Sequence, residues 1–395
     1  SVNYSTYSKS VELGFTEPYL LDRNIALGGD IFRRDYNSFN FIGTQRNTTY
    51  SQVTTGFQIR AGLPLTEFWS VALRYGLSFD EVDLDQATYF FNGACDPLIA
   101  GRYLCDALGN RSTSSLGYSI VYDNLNNRIR PSRGERMVFS QDLAGLGGSV
   151  KYVRQTINAA KYWPVLNGFI FSITGEAGSI VPLTGTPPSG ADPVRLTDRF
   201  FLGEPQIRGF DIRGVGPRVQ RVPYDTSTAD PTDFVTDRNQ IGDDALGGRA
   251  YYMARAELEI PLGSGARELG LRPSVFLDVG AVFGIRAPAL TDAPNGITRD
   301  ILTAAGQTQC INSLDSTTTV RPTTGCATGT VNFVSTIAPF QERFFGNSPR
   351  PRVSIGVGVN WNSPFGPFRI DLAKVLLKEP GDQTKTLTFN VGTQF

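Results

Sequence analysis

The sequence predicts an all-β protein and, within that class, a transmembrane antiparallel β-barrel. Three observations lead to this prediction: apolar residues alternate with small or polar ones, the alternating runs are long, and tight connections largely alternate with long loops. The runs cover roughly 9–11 residues, the length a tilted strand needs to cross a bilayer, whereas strands of soluble proteins have about 5–6. We therefore expect strands that span a membrane.

The alternation is clearest in three segments. Residues 71–79, 353–361 and 387–395 carry apolar side chains at nearly every odd position. Their other face carries Gly, Ser, Thr and Asn with an occasional Arg, which suits the lumen of a barrel. A soluble β-sandwich is the alternative, but it should show shorter strands and more Lys and Glu on its outer face. The pattern favours the barrel.

Thirteen strands follow from this pattern. They are expected near residues 5–16, 24–36, 48–63, 68–80, 113–123, 134–142, 148–163, 168–178, 247–261, 271–285, 350–361, 367–378 and 384–395. The tight connections lie at 64–67, 164–167 and 362–366, and the long ones at 37–47, 80–112, 179–246 and 287–350. In outer-membrane barrels short turns face the periplasm and long loops face outward. Residues 1–395 are thus expected to form one barrel domain.

Composition argues against several classes of function. The 37 Lys and Arg residues balance 37 Asp and Glu residues, which removes the electrostatic argument for a nucleic-acid partner. The chain has no histidine, which excludes His-based catalytic triads and most zinc sites. We expect no enzyme, no cofactor and no metal. No stretch approaches the run of about 18 apolar residues that a membrane helix requires.

The four cysteines form two local pairs, each inside a long loop. Cys95 lies near Cys105, and Cys310 lies near Cys326. Four cysteines allow three connectivities, so the sequence leaves the pairing open. We expect one disulfide within each loop, because neighbours in a loop meet most readily. Such pairs indicate an oxidising compartment.

One long loop contains an unusual arginine. Arg208 lies among aromatic residues and glycines in the segment 200–210, which suggests burial, and a buried guanidinium must be paired with a carboxylate. The alternation of residues 250–260 and 274–283 turns Glu257 and Asp278 inward on consecutive strands. We expect the loop 179–246 to fold into the lumen and dock Arg208 between them. Alternatively, Arg208 lies on the surface and the two acids pair with Arg255 or other arginines of the lumen.

Several of these segments resemble the BamA family of outer-membrane assembly proteins. The motif Ile207-Arg208-Gly209-Phe210 is similar to the family's Val/Ile-Arg-Gly-Phe loop signature. Further segments resemble family strands in the same order, namely FTEPYL at 15–20, GGR at 247–249, RAELE at 255–259, FLDVG at 276–280, FGPFRIDLA at 365–373 and TLTFNVGTQF at 386–395. The resemblance covers nearly the whole chain, and the long loops are its divergent parts.

The resemblance implies a fold, a function and partners. The fold is a 16-stranded barrel, of which about three first strands and the N-terminal POTRA domains are expected to be missing here. The function is to insert and fold β-barrel proteins in the bacterial outer membrane. The implied partners are unfolded outer-membrane proteins, accessory lipoproteins bound through the POTRA domains, and the bilayer with its lipopolysaccharide.

The resemblance also implies roles for particular residues. Arg208 would hold the loop by contacting Glu257 and Asp278, and the last strand would serve as an insertion signal and as one side of a gate. The residues of that strand are Leu387, Phe389, Val391 and Phe395. Three alternatives remain open: a TamA-like assembly factor, a two-partner-secretion translocator and a passive outer-membrane pore.

Overall fold

The computed structural model describes residues 1–5, 8–42, 45–165, 168–187, 191–227, 233–262, 270–363 and 366–391. The prediction of an all-β protein is confirmed, since one large antiparallel sheet contains most of this part of the chain. Among the described residues no helix is long and apolar enough to cross a membrane.

Fourteen strands, each paired with the next one in the series, form the body of the sheet. They are β1 (Val2–Tyr4), β2 (Ser8–Glu17), β3 (Ala26–Ile42), β4 (Gln45–Pro64), β5 (Trp69–Leu84), β8 (Gly109–Asp123), β9 (Gly134–Gly148), β10 (Tyr152–Pro164), β11 (Ile170–Pro182), β14 (Ala250–Glu259), β15 (Leu271–Phe283), β23 (Arg352–Ser363), β24 (Gly366–Leu377) and β25 (Leu387–Val391). Every predicted strand has a counterpart, and the short β1 is additional.

The predicted long connection at 37–47 is wrong. Strands β3 and β4 continue through it and pair up to Ile42 and Gln45, so that they form one long hairpin. The polar composition of this segment suggested a loop. Backbone hydrogen bonds between strands do not require apolar side chains, however, and a polar hairpin can continue beyond the apolar band.

The remaining elements are short and lie in the long loops. The strands are β6 (Phe90–Phe91), β7 (Ala94–Cys95), β12 (Arg218–Pro223), β13 (Gly242–Ala245), β16 (Asp292–Ala293), β17 (Ile297–Asp300), β18 (Gln309–Asn312), β19 (Thr318–Val320), β20 (Thr330–Asn332), β21 (Val334–Ile337) and β22 (Phe340–Phe345). The helices are α1 (Gln86–Tyr89), α2 (Pro97–Ala100) and α3 (Arg102–Cys105), with 3-10 turns at Leu20–Asp22, Leu196–Asp198 and Arg238–Gln240.

These loops join into a cap at one end of the sheet. Strand β12 pairs with β13 and β22, and β13 in turn pairs with the end of β3. Both expected disulfides are present, Cys95–Cys105 and Cys310–Cys326, each within one loop. Apolar side chains under the cap form a core that includes Tyr50, Leu84, Leu104, Leu196 and Leu246.

The two faces of the strands differ as a barrel requires. On β23, Ile355 and Val357 point outward with 41% and 52% of their surface exposed. The adjacent Ser354 of the same strand points inward and is fully buried. On β25, Leu387 and Phe389 are exposed while Thr388 is buried. An apolar outer face and a polar inner face are what a transmembrane barrel presents to lipid and lumen.

In the described part of the chain, the first and last strands each have one unpaired edge. Among the described residues β25 pairs only with β24, and β1 pairs only with β2. An unpaired edge exposes a row of backbone N–H and C=O groups that can pair with another strand.

A charge on the outer face tests the membrane assignment. The substitution Val357→Arg is expected to lower the free energy of unfolding by about 2–4 kcal/mol, because the guanidinium would lie near the bilayer midplane. Leu314→Arg is the control, since Leu314 is a 94% exposed residue of the cap. Denaturant unfolding in phospholipid vesicles measures both variants. A similar small loss in the two variants would contradict a lipid-facing β23.

Candidate functional site: a loop tip docked in the lumen

The loop between β11 and β14 turns back into the lumen of the sheet. Its tip, residues 203–216, is a compact turn closed by hydrogen bonds from the N–H of Ile207 to the carbonyl of Gly203 (3.0 Å) and from the N–H of Gly214 to that of Asp211 (2.8 Å). Ile207 and Phe210 are completely buried and pack with Leu202, Val215, Met253 and Val282. We call residues 203–216 the docked tip.

Arg208 connects the docked tip to two strands of the sheet. Its Nε and Nη2 donate to the two carboxylate oxygens of Asp278 on β15, at 2.8 and 2.7 Å, and its backbone N–H donates to the same carboxylate at 3.0 Å. Its Nη1 donates to Glu257 on β14 at 3.1 Å. The Arg208 side chain is 2% exposed and that of Asp278 is fully buried. The sequence-predicted residues are thus brought together at one point.

Arg208 and Gly209 also pack closely against neighbouring strands of the sheet. The hydroxyl of Ser354 donates to the carbonyl of Arg208 at 2.5 Å, and the Arg208 guanidinium lies 3.2 Å from the centre of the Phe276 ring. Gly209 has φ +88°, and a Cβ there would lie 3.1 Å from the Cβ of Ser354. A side chain at position 209 is therefore disfavoured both by backbone conformation and by space.

The charge network is wider than the sequence suggested. Asp371 on β24 lies 3.6 Å from Arg208, and Arg369 donates to Asp371 (2.8 Å) and Glu257 (3.2 Å). Arg255 donates to Asp278 at 3.1 Å. Three guanidinium groups therefore face three carboxylates, so each buried charge has a partner of opposite sign. Arg255 was the alternative partner for the acids, and it shares Asp278 with Arg208.

The sequence contains a signal for Arg369 and Asp371, which are not among the predicted residues of the site. Strand β24 alternates like the other strands, with Ile370 and Leu372 exposed, and this phase turns Arg369 and Asp371 inward. Carrying the face assignment to β24 would have identified both. Phe276 and Ser354 carry no such signal, because an inward Phe or Ser is common in any barrel.

The docked tip also contacts the connection between β24 and β25. The N–H of Asp211 donates to the carbonyl of Gln383 (3.0 Å), the N–H of Gln383 donates to Gly214 (2.8 Å), and that of Lys385 donates to Gly209 (3.0 Å). Lys385 also pairs with Glu204 at 2.9 Å. Residues 378–386 are thus held by the tip just before the last strand begins.

A second buried arginine supports the same connection. Arg352 on β23 is fully buried and donates to Asp382 at 3.0 Å. Its other N–H groups donate to the carbonyls of Gly346, Ser348 and Arg350. The connection is therefore anchored to the sheet from one side and to the docked tip from the other.

The residues expected in the last strand are only partly described. Leu387 and Phe389 lie in β25 and point outward. Val391 ends β25, and its side chain is outside the described part of the structure, as is Phe395. Within the described residues no group of three or more acids or cysteines has a geometry that could hold a metal ion.

Three comparisons with known proteins bear on this arrangement. The model of the Omp85 superfamily domain matches residues 1–395. The outer membrane protein assembly factor BamA of Neorickettsia risticii is 26% identical over 392 residues, which is 99% of this chain and 40% of that protein. The human sorting and assembly machinery component 50 homolog is 30% identical over 178 residues, or 44% of this chain and 32% of that protein.

A solved structure supports the fold. BamA from Haemophilus ducreyi, lacking POTRA domains 1–3, matches with a TM-score of 0.64 and 21% identity, over 97% of this chain and 62% of that one. The predicted barrel architecture is confirmed by this likeness. The chain spans about two fifths of the length of the Neorickettsia relative.

Neutralising one carboxylate should destabilise the protein more when its ion pair is buried than when the pair is exposed. Asp278→Asn is expected to lower the free energy of unfolding by about 3–5 kcal/mol, because it leaves Arg208 and Arg255 short of a carboxylate. Glu259→Gln on β14 is the control, since Glu259 and its partner Arg272 are each 31% exposed and 3.5 Å apart. That change should cost less than about 1 kcal/mol. Equal losses in denaturant unfolding would refute a dominant role for Asp278.

Proposed function

The chain belongs to the Omp85 superfamily, and on that premise we propose that it inserts and folds β-barrel proteins in the bacterial outer membrane. The relatives named for assembly, one bacterial and one human, support this proposal. The bacterial relative matches over 99% of this chain, so that the match is not confined to one part of the sheet.

The docked tip is the observation that carries the proposal. A loop tip that is fixed in the lumen by buried charge pairs narrows the space that solutes would cross, which favours an assembly factor over a simple pore. The same loop contacts the connection that leads into β25. We propose that Arg208 holds the tip through Glu257 and Asp278, together with Ile207, Gly209 and Phe210, and so keeps β25 in position.

Edge pairing supplies the physical mechanism. A strand of an unfolded substrate can add to the free N–H and C=O groups of β25, which lowers the cost of bringing backbone polar groups into the membrane. Leu387 and Phe389 point outward on β25, and we propose that they act together with Val391 and Phe395 as the signal and gate of the strand. The mechanism requires no bond making or breaking, so the proposed activity is not enzymatic.

The proposed partners follow from this activity. Unfolded outer-membrane proteins are the substrates, and the bilayer with its lipopolysaccharide is the medium. Accessory lipoproteins would bind through POTRA domains. A TamA-like factor, a two-partner-secretion translocator and a passive pore are the alternative functions, and they differ in what crosses or enters the membrane.

Assembly kinetics test the proposal. The full-length protein in liposomes is expected to speed the conversion of an unfolded test barrel protein to a protease-resistant form, relative to empty liposomes. Arg208→Ala should remove most of this acceleration, because the docked tip loses its buried contacts. Arg238→Ala, an exposed residue of the same loop, should leave it unchanged.

Three results would contradict the proposal in different ways. No acceleration together with steady ion conductance would indicate a pore. No acceleration together with export of a soluble substrate would indicate a translocator. Full activity of the Arg208→Ala variant would keep the assembly function but remove the docked tip from its mechanism.

A further inference from the structure

A cavity of about 210 Å³ lies under the cap, on the side of the sheet opposite the short turns. It is lined by residues of three long loops: the one after β5, the one after β11 and the one after β15. Its charged lining residues are Arg102, Arg195, Arg199 and Arg286 with Asp106 and Asp192. We call it the arginine cavity. It shares no lining residue with the docked tip and plays no part in the proposed assembly mechanism.

The acids of the cavity reach its arginines only at longer range: Asp106 interacts electrostatically with Arg102 and Arg195, and Asp192 with Arg199. Among the described residues none of the four forms an ion pair, although many other arginines of this chain do. Asp192 is held by a different arginine, Arg249, at 3.6 Å, and accepts backbone N–H groups from Val194 and Arg286. The cavity therefore carries an excess of positive charge.

Two of the arginines, Arg195 and Arg199, are partly buried and form few hydrogen bonds. Arg199 donates only to the carbonyls of Val194 and Leu246, and Nη1 of Arg195 is buried with no hydrogen-bond partner in the described structure. Burial lowers the pKa of Arg199 to about 10, and burial with the nearby Arg111 lowers the pKa of Arg195. Four guanidinium groups around one cavity outnumber its two carboxylates, and partly buried guanidinium groups without a direct ion pair are stabilised by an anion.

From this geometry we infer that the arginine cavity binds a phosphate group. Guanidinium groups bind phosphate with paired N–H donors, and several of them from different loops can surround its oxygens. The volume is below the roughly 300–1,000 Å³ of pockets for drug-sized ligands, so it suits a single headgroup.

Two sources can supply this group at the outer face of the membrane. One is a phosphorylated sugar of lipopolysaccharide, and the other is free inorganic phosphate. Either would tie together three loops that are distant in the sequence. Arg102 and Arg286 are exposed and would contact the anion first, whereas Arg195 and Arg199 are half-buried and would hold it more deeply.

Calorimetric titration of the full-length protein in nonionic detergent tests the inference. Inorganic phosphate, added at constant ionic strength against chloride, should bind saturably at one site. The double variant Arg102→Gln and Arg286→Gln should lose at least tenfold in affinity. Both positions are exposed, and circular dichroism checks that the variant is folded. Arg238→Gln, an exposed arginine of the cap outside the cavity, is the matched control and should bind as the original protein does.

A competition experiment separates the two sources. Displacement of phosphate by intact lipopolysaccharide, but not by dephosphorylated lipopolysaccharide, would identify the lipid headgroup, and no displacement by either would identify free phosphate. Absence of saturable binding of both ligands, or equal losses in the double variant and the control, would overturn the inference. The titration contains no substrate protein, so that its result is independent of the assembly activity.

Discussion

The buried contact between Arg208 and the carboxylates of Asp278 and Glu257 is the interaction on which the rest of the structure depends. An arginine that is 2% exposed would destabilise the lumen if it were unpaired. Paired with two strands at once, it converts a long loop into a fixed element of the interior. Breaking such a pair by removing one partner costs about 3–5 kcal/mol, because the other charge stays buried. The loop is therefore either docked with its charges matched or excluded from the lumen.

The docked tip extends this constraint to the end of the sheet. Its backbone bonds to Gln383 and Lys385 hold the connection that leads into β25, and Arg352 holds the same connection from β23 through Asp382. A strand that offers its edge to a substrate must be placed accurately and yet be only weakly paired. Support from the lumen adds to the short pairing of β25 with β24 and helps to place the strand accurately.

The sequence predicted much of this arrangement for a physical reason. In a membrane barrel the alternation of side chains assigns each residue to lipid or lumen, so that Glu257 and Asp278 were placed inward without any structure. Where the same rule was not applied, at Arg369 and Asp371, the partners were missed. The hairpin at 37–47 was misjudged because its polar composition resembles that of a loop. The contacts of residues 378–386 depend on backbone groups, which leave no trace in the sequence.

A double-mutant cycle between Arg208 and Asp278 tests the central claim most directly. The free energies of unfolding of Arg208→Ala, Asp278→Ala and the double variant would be compared with that of the original protein in phospholipid vesicles. Residues in direct contact in one ion-pair network show coupling of about 0.5–3 kcal/mol, and a buried bidentate pair should lie in the upper half of that range. Additive losses, with a coupling near zero, would show that Arg208 is not held by Asp278 and that the tip is not docked in this way.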